Sequence, residues 1–218
     1  MAETRTTRAA PLSRDDRRTA IAVATVPLLA QHGAAVTTRQ IADAAGVAEG
    51  TLFRAFHDKS ELLRATASAA LDPERAVGAI AALPDDLGLN DLVVALATML
   101  QNGLRRTARV MVAAHQILAE DARAAAGTAA ADCPPTVHGV HGPPLDRDAR
   151  TRSVLAIIDA VTRRFEPYVA ELRVTPEAAA RILVSLVFGL GPPGLLTASV
   201  FTPEEIADHM LHGVVAHP

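Results

Sequence analysis

Residues 37–63 read TTRQIADAAGVAEGTLFRAFHDKSELL, and this stretch decides the fold. Its opening residues, Thr37–Gln40, have the threonine-to-glutamine spacing of a capping box, which predicts a short helix over residues 38–45. Gly46 then supplies the left-handed backbone with which many helices end. A second short helix is predicted over residues 49–56. Two short helices joined by such a turn are typical of a helix-turn-helix, whose second helix enters the major groove of DNA.

The apolar residues of this stretch predict a small core beneath the two helices. Ile41, Leu52 and Phe56 have the spacing of inward-facing helical positions. Val47 falls in the turn, where it would fill the angle between the helices. We therefore expect Ile41, Val47, Leu52 and Phe56 to be structural, so that replacing them would lose DNA binding only by unfolding the segment.

Composition predicts that the rest of the chain is also helical. Half of the 218 residues are apolar, yet only 3% are aromatic. Alanine and leucine supply most of the apolar residues, and both favour helices over strands. The predicted fold is all-α: an N-terminal three-helix helix-turn-helix head plus a C-terminal helical bundle body.

Helical periodicity and capping signals divide the chain further. A flexible arm is predicted over 1–12, a DNA-binding domain over 13–64, and a dimerisation and effector-binding domain over 65–218 with a proline- and glycine-rich loop at about 127–149. The first helix is predicted from Ser13 to His32, with a kink at Pro27. The helices predicted for the body are 72–83, 89–104, 107–126, 151–172, 176–190 and 203–215. Within the fourth of these, Pro167 is difficult to reconcile with a helix.

Charge is distributed unevenly along the chain. Residues 1–64 carry a net charge of +2 and residues 65–218 a net charge of −5, which together give the overall −3. A basic head on an acidic body fits a protein that presents only its head to a polyanion, although an excess of two charges is also expected by chance. Arg5 and Arg8 in the arm would either follow a DNA groove or form a solvated tail.

The head resembles the DNA-binding domain of the TetR family of bacterial regulators over about residues 14–64. The resemblance is carried by Thr37-Thr38, Ile41-Ala42, Ala45-Gly46-Val47, Gly50-Thr51-Leu52-Phe53, Phe56, Lys59 and Leu62-Leu63. It implies a cytoplasmic dimeric repressor that is released from a palindromic operator by a small molecule. Many family members have tyrosine where this chain has Phe53, and that hydroxyl often bonds a DNA phosphate, so this contact is in doubt here.

Position and chemistry nominate the residues that contact DNA. Arginine's planar fork fits both guanine and phosphate, and threonine bonds phosphate or touches a thymine methyl group. By resemblance, Lys59, the only lysine in the chain, holds a phosphate at the start of the next helix. The predicted contacts are Thr38, Arg39, Glu49, Gly50, Thr51, Phe53, Arg54, His57 and Lys59. Of these, Glu49 fits a helix cap or an acceptor from cytosine better than a phosphate contact.

A dimer is expected because one short recognition helix reads few base pairs, and two heads must lie about 34 Å apart to read a palindrome. Helices 151–172 and 176–190 carry more apolar positions than one inward face requires. These two helices from each of two chains would together form a four-helix interface. The alternative is that both helices only build the monomer core. The predicted interface residues are Val154, Ile158, Val161, Leu183, Leu186, Val187 and Leu190.

A small apolar or amphipathic effector is implied by the family resemblance alone. The helix predicted over 107–126 carries Met111 and His115 one turn apart. Methionine adapts to varied apolar ligands, and a histidine would orient one. Met99 and Phe165 complete the predicted pocket. The open alternatives are a packed core with one hydrogen-bonded histidine, and a regulator controlled by a protein partner or by no ligand.

Other function classes find little support. The chain has no nucleophile elbow, phosphate-binding loop or HExxH motif, so we expect neither an enzyme nor a cofactor. Cys133, His138 and His141 have no standard zinc spacing, and no metal site is expected. The single cysteine suits a reducing cytosol. The longest apolar stretch, 184–200, is interrupted by Gly-Pro-Pro-Gly, so no membrane span is expected.

Overall fold

The computed structural model describes residues 13–126, 147–188 and 201–212, and all regular secondary structure in these ranges is helical. The nine helices there are α1 Arg14–His32, α2 Thr38–Ala44, α3 Glu49–Ala55, α4 Lys59–Ala70, α5 Glu74–Ala81, α6 Leu89–Ala126, α7 Arg147–Phe165, α8 Pro176–Phe188 and α9 Pro203–His212. The predicted all-α class is confirmed. The arm with Arg5 and Arg8, Cys133, His138, His141 and Leu190 lie outside the described residues.

Helix starts follow the capping signals of the sequence. The Ser13 hydroxyl accepts the backbone N–H of Asp16 at 3.0 Å. Thr175 and Thr202 each cap a helix whose first residue is proline, accepting the N–H three residues on at 3.2 Å. Proline is favourable at a first helical position because its missing N–H would have no partner there. Pro27 lies on the exposed side of α1, which continues past it to His32.

The largest correction concerns α6. The sequence predicted two helices, over 89–104 and 107–126, but α6 runs unbroken for 38 residues. The prediction left Arg105 and Arg106 out of both helices, yet neither is proline or glycine, and nothing at these positions interrupts a helix. Both side chains are exposed on the continuous helix.

The bounds of α7 also differ from the prediction over 151–172. The helix begins at Arg147, so the predicted loop is wrong for residues 147–149. It ends at Phe165, where Pro167 enters a short 3-10 turn, Glu166–Tyr168. Proline has no N–H for a helical bond, and its ring clashes with the preceding turn, so the apolar periodicity beyond it did not produce a helix.

Two apolar clusters build the molecule. The body cluster joins α6 to α7, α8 and α9 through fully buried Leu92, Leu96, Phe165, Leu183 and Ile206. The head cluster holds the four helices α1, α2, α3 and α4 together through buried residues that include Ile21, Leu29, Ile41, Leu52 and Leu63. Residues Val110, Ala113, Ala114 and Ile117 of α6 belong to the head cluster. The body's longest helix therefore completes the core of the head.

This shared core generates a test on one helix. Val110 is fully buried in the head cluster, whereas Val112, two positions on, is 53% exposed. We expect Val110→Ala to lower the free energy of unfolding by roughly 2 kcal/mol, since it removes buried methyl groups and leaves a cavity. Val112→Ala is the matched control and should change it by less than about 0.5 kcal/mol. Chemical denaturation measures both, and equal effects would contradict the shared core.

Candidate nucleic-acid interface

The turn between α2 and α3 has the predicted geometry. Thr37 and Gln40 form the full capping box, with the Thr37 N–H donating to the Gln40 side chain at 2.9 Å and the Gln40 N–H to the Thr37 hydroxyl at 3.2 Å. Gly46 has φ +65°, which side-chain-bearing residues rarely adopt. The Val47 N–H then donates to the Ala42 carbonyl at 3.0 Å, which closes the end of α2.

The two helices are packed from beneath by the predicted core. Ile41, Ala42, Leu52 and Phe56 are each at most 2% exposed, and Val47 is half-buried against them. The structural interpretation of these residues is thereby supported. Because the apolar side of α3 is fixed in the core, its remaining side chains must face outwards.

The outward side of α3 carries unpaired groups. Phe53 is 57% exposed, and Arg54 and Gly50 are also exposed. A Cβ atom added at Gly50 would meet nothing within 4 Å, so the protein leaves open space there. Within the described ranges neither Arg54 nor exposed Arg39 has a hydrogen bond or ion pair. Two free guanidinium groups therefore flank an open helix surface.

Thr38 and Glu49 are joined to each other. The Thr38 hydroxyl donates to the Glu49 carboxylate at 2.5 Å, a bond that ties the start of α2 to the start of α3. The sequence had suggested Glu49 as a cap or a base contact and Thr38 as a phosphate contact. Their bond places Thr38, Arg39 and the first turn of α3 at one edge of the head.

Arg18 of α1 holds the other end of α3. Its guanidinium donates to the Ala55 carbonyl at 2.5 Å and to the Glu61 carboxylate at 2.6 Å, and it lies 4.6 Å above the ring of Phe56. An arginine is well placed at a helix C-terminus, where free carbonyls carry partial negative charge. This arrangement fixes the position of α3 relative to α1 and α4.

Glu61 completes that arrangement in a way the sequence did not predict. The Asp58-x-x-Glu61 spacing suggested a capping box, and Asp58 does accept the Glu61 N–H at 2.6 Å. The Glu61 side chain, however, accepts the N–H of His57 at 2.6 Å. This bond, and then Arg18, hold the pKa of Glu61 below its ordinary value of 4.5. No spacing rule links Arg18 to Glu61, because the pair forms only when α1 packs on α4.

The remaining nominated residues lie near this junction. Thr51 is half-buried in the first turn of α3, and His57 is exposed just beyond its end. Lys59 begins α4 and is half-buried, without an ion pair among the described residues. The nominated residues thus divide between the start of α2, the open side of α3 and the start of α4.

Comparison with known proteins identifies the head. The sequence profile described as "Bacterial regulatory proteins, tetR family" matches residues 21–66, which span the second half of α1 through most of α4. The match covers the two helices and the turn described above, so the head is similar to the DNA-binding segment of that family. The search of curated proteins found no match.

Solved structures of TetR-type regulators resemble the chain along most of its length. One is NalD of Pseudomonas aeruginosa, the secondary repressor of the MexAB-OprM multidrug efflux pump. It is 21% identical, with 91% of this chain and 93% of NalD covered and a TM-score of 0.39. Another is PfmR of Thermus thermophilus, 18% identical, with 95% and 100% covered and a TM-score of 0.40.

Behind the head lies a cavity of about 360 Å³, which we call the α6 cavity. It is bounded by the ends of α4, α5, the middle of α6, α7 and the end of α8. Met99 and Met111, both nominated from the sequence, line it. His115 is not among its described lining residues, and Phe165 is fully buried in the body cluster. The sequence could not separate Met111 from His115, because residues four apart lie on nearly the same face of a helix, and the packing of the neighbouring helices decides which one reaches the cavity.

The residues predicted for the dimer interface differ in how far they are buried within one chain. Val161, Leu183 and Val187 are at most 1% exposed in the body cluster of a single chain, so a partner could not reach them. Val154 lines the α6 cavity. Ile158 and Leu186 are half-buried. Exposed Leu155 and Ile182, which the sequence analysis did not nominate, lie on the same two helices, at 51% and 43% exposure.

The described residues include no helix long and apolar enough to cross a membrane.

The Arg18–Glu61 pair generates a pH-dependent prediction. Because folding lowers the pKa of Glu61, its ionised form contributes stability that is present above the unfolded pKa and lost as the pH falls through the folded value. We expect Glu61→Gln to be less stable than the parent at pH 7. The difference should shrink steadily below about pH 4.5, near the unfolded pKa, and thermal melts from pH 7 to pH 3 measure it. Glu171→Gln, at an exposed glutamate without a described partner, is the control, and a difference independent of pH would contradict the assignment.

Proposed function

We propose that the protein is a TetR-family regulator, a dimeric repressor that binds a palindromic operator and leaves it when a small molecule occupies the α6 cavity. The observation that carries the proposal is the open side of α3. There, exposed Arg54 and the nearby Arg39 have no partner within the described residues, while the opposite side of α3 is fixed in the head cluster. Unpaired cations on a rigid recognition helix are what binding to a polyanion requires.

Each nominated residue has a distinct role in this proposal. Arg54, on the open side of α3, reads a base edge or a phosphate, and Arg39 reaches the adjacent backbone. Gly50 lets the first turn of α3 come close to the DNA, since nothing occupies the space above it. Lys59, at the start of α4, holds a phosphate. Phe53 packs against the duplex without the phosphate bond that a tyrosine hydroxyl would provide.

Glu49 and Thr38 act as a positioning pair. Their 2.5 Å hydrogen bond directs the Glu49 carboxylate towards Thr38, so its charge is partly satisfied inside the protein. A free carboxylate at this edge would repel phosphate. The pair therefore reduces the electrostatic cost of bringing Thr51 and Arg39 close to DNA.

Dimerisation uses the outer surface of α7 and α8. Leu155 and Ile182 are about half exposed, and Ile158 and Leu186 are half-buried beside them. The two helices pack against each other, and Ile158 and Leu186 both lie against the body cluster. Burying that surface against a second copy would place two heads in a symmetric pair, as a palindromic operator requires.

Effector control is supported by where the α6 cavity lies. Its walls include Ala69 and Ala70 of α4, which begins in the head, and Met99 and Met111 of α6, which passes through both clusters. Its volume of about 360 Å³ falls within the usual range for small-molecule sites. A solid core would instead have favoured a regulator controlled by a protein partner or by no ligand.

Footprinting tests the proposal directly. The purified protein is incubated with DNA from upstream of its own gene, and a protected near-palindrome is expected. Protection should weaken steeply as salt rises, because binding releases counterions from the phosphates. Small molecules are then screened for loss of protection. Binding without symmetry in the site would contradict the dimeric repressor.

Substitutions on the head should separate contact from stability. We expect Arg54→Ala to weaken operator binding by roughly tenfold or more, and Lys59→Ala to weaken it on all sequences while reducing the salt slope by about one. Neither should lower the melting temperature, since neither side chain has a described partner. Arg173→Ala, at an exposed arginine of the body, is the control. Normal operator binding by either head variant would remove that residue from the interface.

The dimer surface has its own test. We expect Ile182→Glu to convert the protein to a monomer, because a charge on each protomer would be buried at the interface. Val174→Glu changes a residue of similar exposure, 45%, in the connection before α8, and should leave the dimer intact. Sedimentation velocity distinguishes the two states. A dimeric Ile182→Glu protein would place the interface elsewhere.

A further inference from the structure

Three arginines from three different helices meet at the α6 cavity. Arg75 comes from α5, Arg106 from α6 and Arg150 from α7. Asp72 is the one carboxylate among the described lining residues, and one of its oxygens accepts the N–H of Glu74 at 3.0 Å. The described wall therefore carries an excess of two positive charges.

None of these three arginines has a hydrogen bond or ion pair within the described residues. Three other arginines are paired: Arg18 contacts Glu61, Arg164 contacts Asp85 and Arg181 contacts Glu177. All three side chains are exposed to solvent where they line the cavity. A guanidinium group has five N–H donors, and no described protein group accepts from these three, so their donors are available to a ligand.

Arg75 and Arg106 also interact unfavourably with each other. The pKa of Arg106 lies below the usual arginine value because burial removes water from it and because the positive charge of Arg75 is close. Both groups remain charged, since arginine does not lose its proton in proteins. A bound anion between them would replace this repulsion with attraction.

Apart from Thr107 and Ser153, the rest of the described wall consists of apolar residues and Gly103. Met99, Leu104, Met111, Ile157 and Phe188 contribute side chains to it. Methionine adapts its shape to varied apolar partners. At about 30 Å³ for each water-sized group, a volume of about 360 Å³ holds roughly a dozen such groups. An acid group with a short hydrocarbon tail matches both the charge and the volume.

We propose that the α6 cavity binds an organic anion with an apolar tail. Arg75 and Arg106 hold the acid group, Arg150 adds to the positive potential, and the tail lies against Met99 and Met111. This inference rests on the proposed function, in which the same cavity receives the effector. It adds the chemical class of that effector and the residues that select it.

Three probes that share one hydrocarbon tail but differ in the charge of their polar group test whether the cavity prefers an anion. Octanoate, octan-1-ol and octylammonium are titrated into the full-length protein by calorimetry. We expect octanoate to bind at least about tenfold more tightly than octanol, since charge-assisted hydrogen bonds are the stronger kind. Octylammonium should bind most weakly, and added salt should reduce the advantage of octanoate.

Variants then assign the charge to the named arginines. Arg106→Gln and Arg75→Gln should each remove most of the octanoate advantage, while the affinity for octanol stays within about threefold, an effect too small for a lost charged hydrogen bond. Arg106→Lys keeps the charge and should retain a preference for the anion. Arg105→Gln is the matched control, since Arg105 adjoins Arg106 on α6, is exposed and does not line the cavity. Melting curves confirm that each variant is folded.

The outcomes separate this inference from the proposed function. Equal affinity for the three probes, stronger binding of octylammonium than of octanoate, or no binding of any probe would overturn the inference. An octanoate preference that survives both glutamine variants would also overturn it. Octanoate binding that depends on Arg106 but does not release the operator would support the inference and contradict effector control. Failure to bind any operator would contradict the repressor and leave the ligand test valid.

Discussion

The structure depends on the burial of one long helix in two separate apolar clusters. α6 spans 38 residues, or about 57 Å at 1.5 Å per residue. Its first third packs against α7, α8 and α9, and residues 110–117 pack against the head. A helix held at both positions is costly to bend, because a bend would open one of the clusters. The head, which contains α3, and the body are therefore both packed on the same rigid helix, α6.

The α6 cavity lies where the two clusters meet. Its α6 residues run from Met99 to Met111, after most of the body contacts and up to the start of the head contacts. Apolar packing is incomplete there, and the charged groups at the gap are three arginines and Asp72. The cavity is lined by residues of both α4 and α6, the helices through which the head packs on the body. Under the proposed function, these two helices would carry the coupling between effector and DNA.

Local signals predicted the fold well, and tertiary contacts account for what they missed. Thr37, Gln40 and Gly46 specified the turn of the head because each acts within one helical turn. The proline-first starts of α8 and α9 were equally local. The apolar stripes of α7 and α8 cover most of each helix, so periodicity could not tell buried Val161 from exposed Leu155. Arg18–Glu61 and the three cavity arginines meet only after helices pack, and no single-helix pattern records them.

Lys59 has a consequence for chemistry on the intact protein. It carries the only side-chain amine in the sequence, and it lies at the start of α4, directly after the turn that follows the recognition helix. Acylating reagents will therefore find one lysine side chain, at the start of α4. If Lys59 holds a phosphate as proposed, a fluorophore attached there would report on operator binding without mutagenesis. Acetylation of the same amine would remove its positive charge and leave the fold intact, since Lys59 has no described partner.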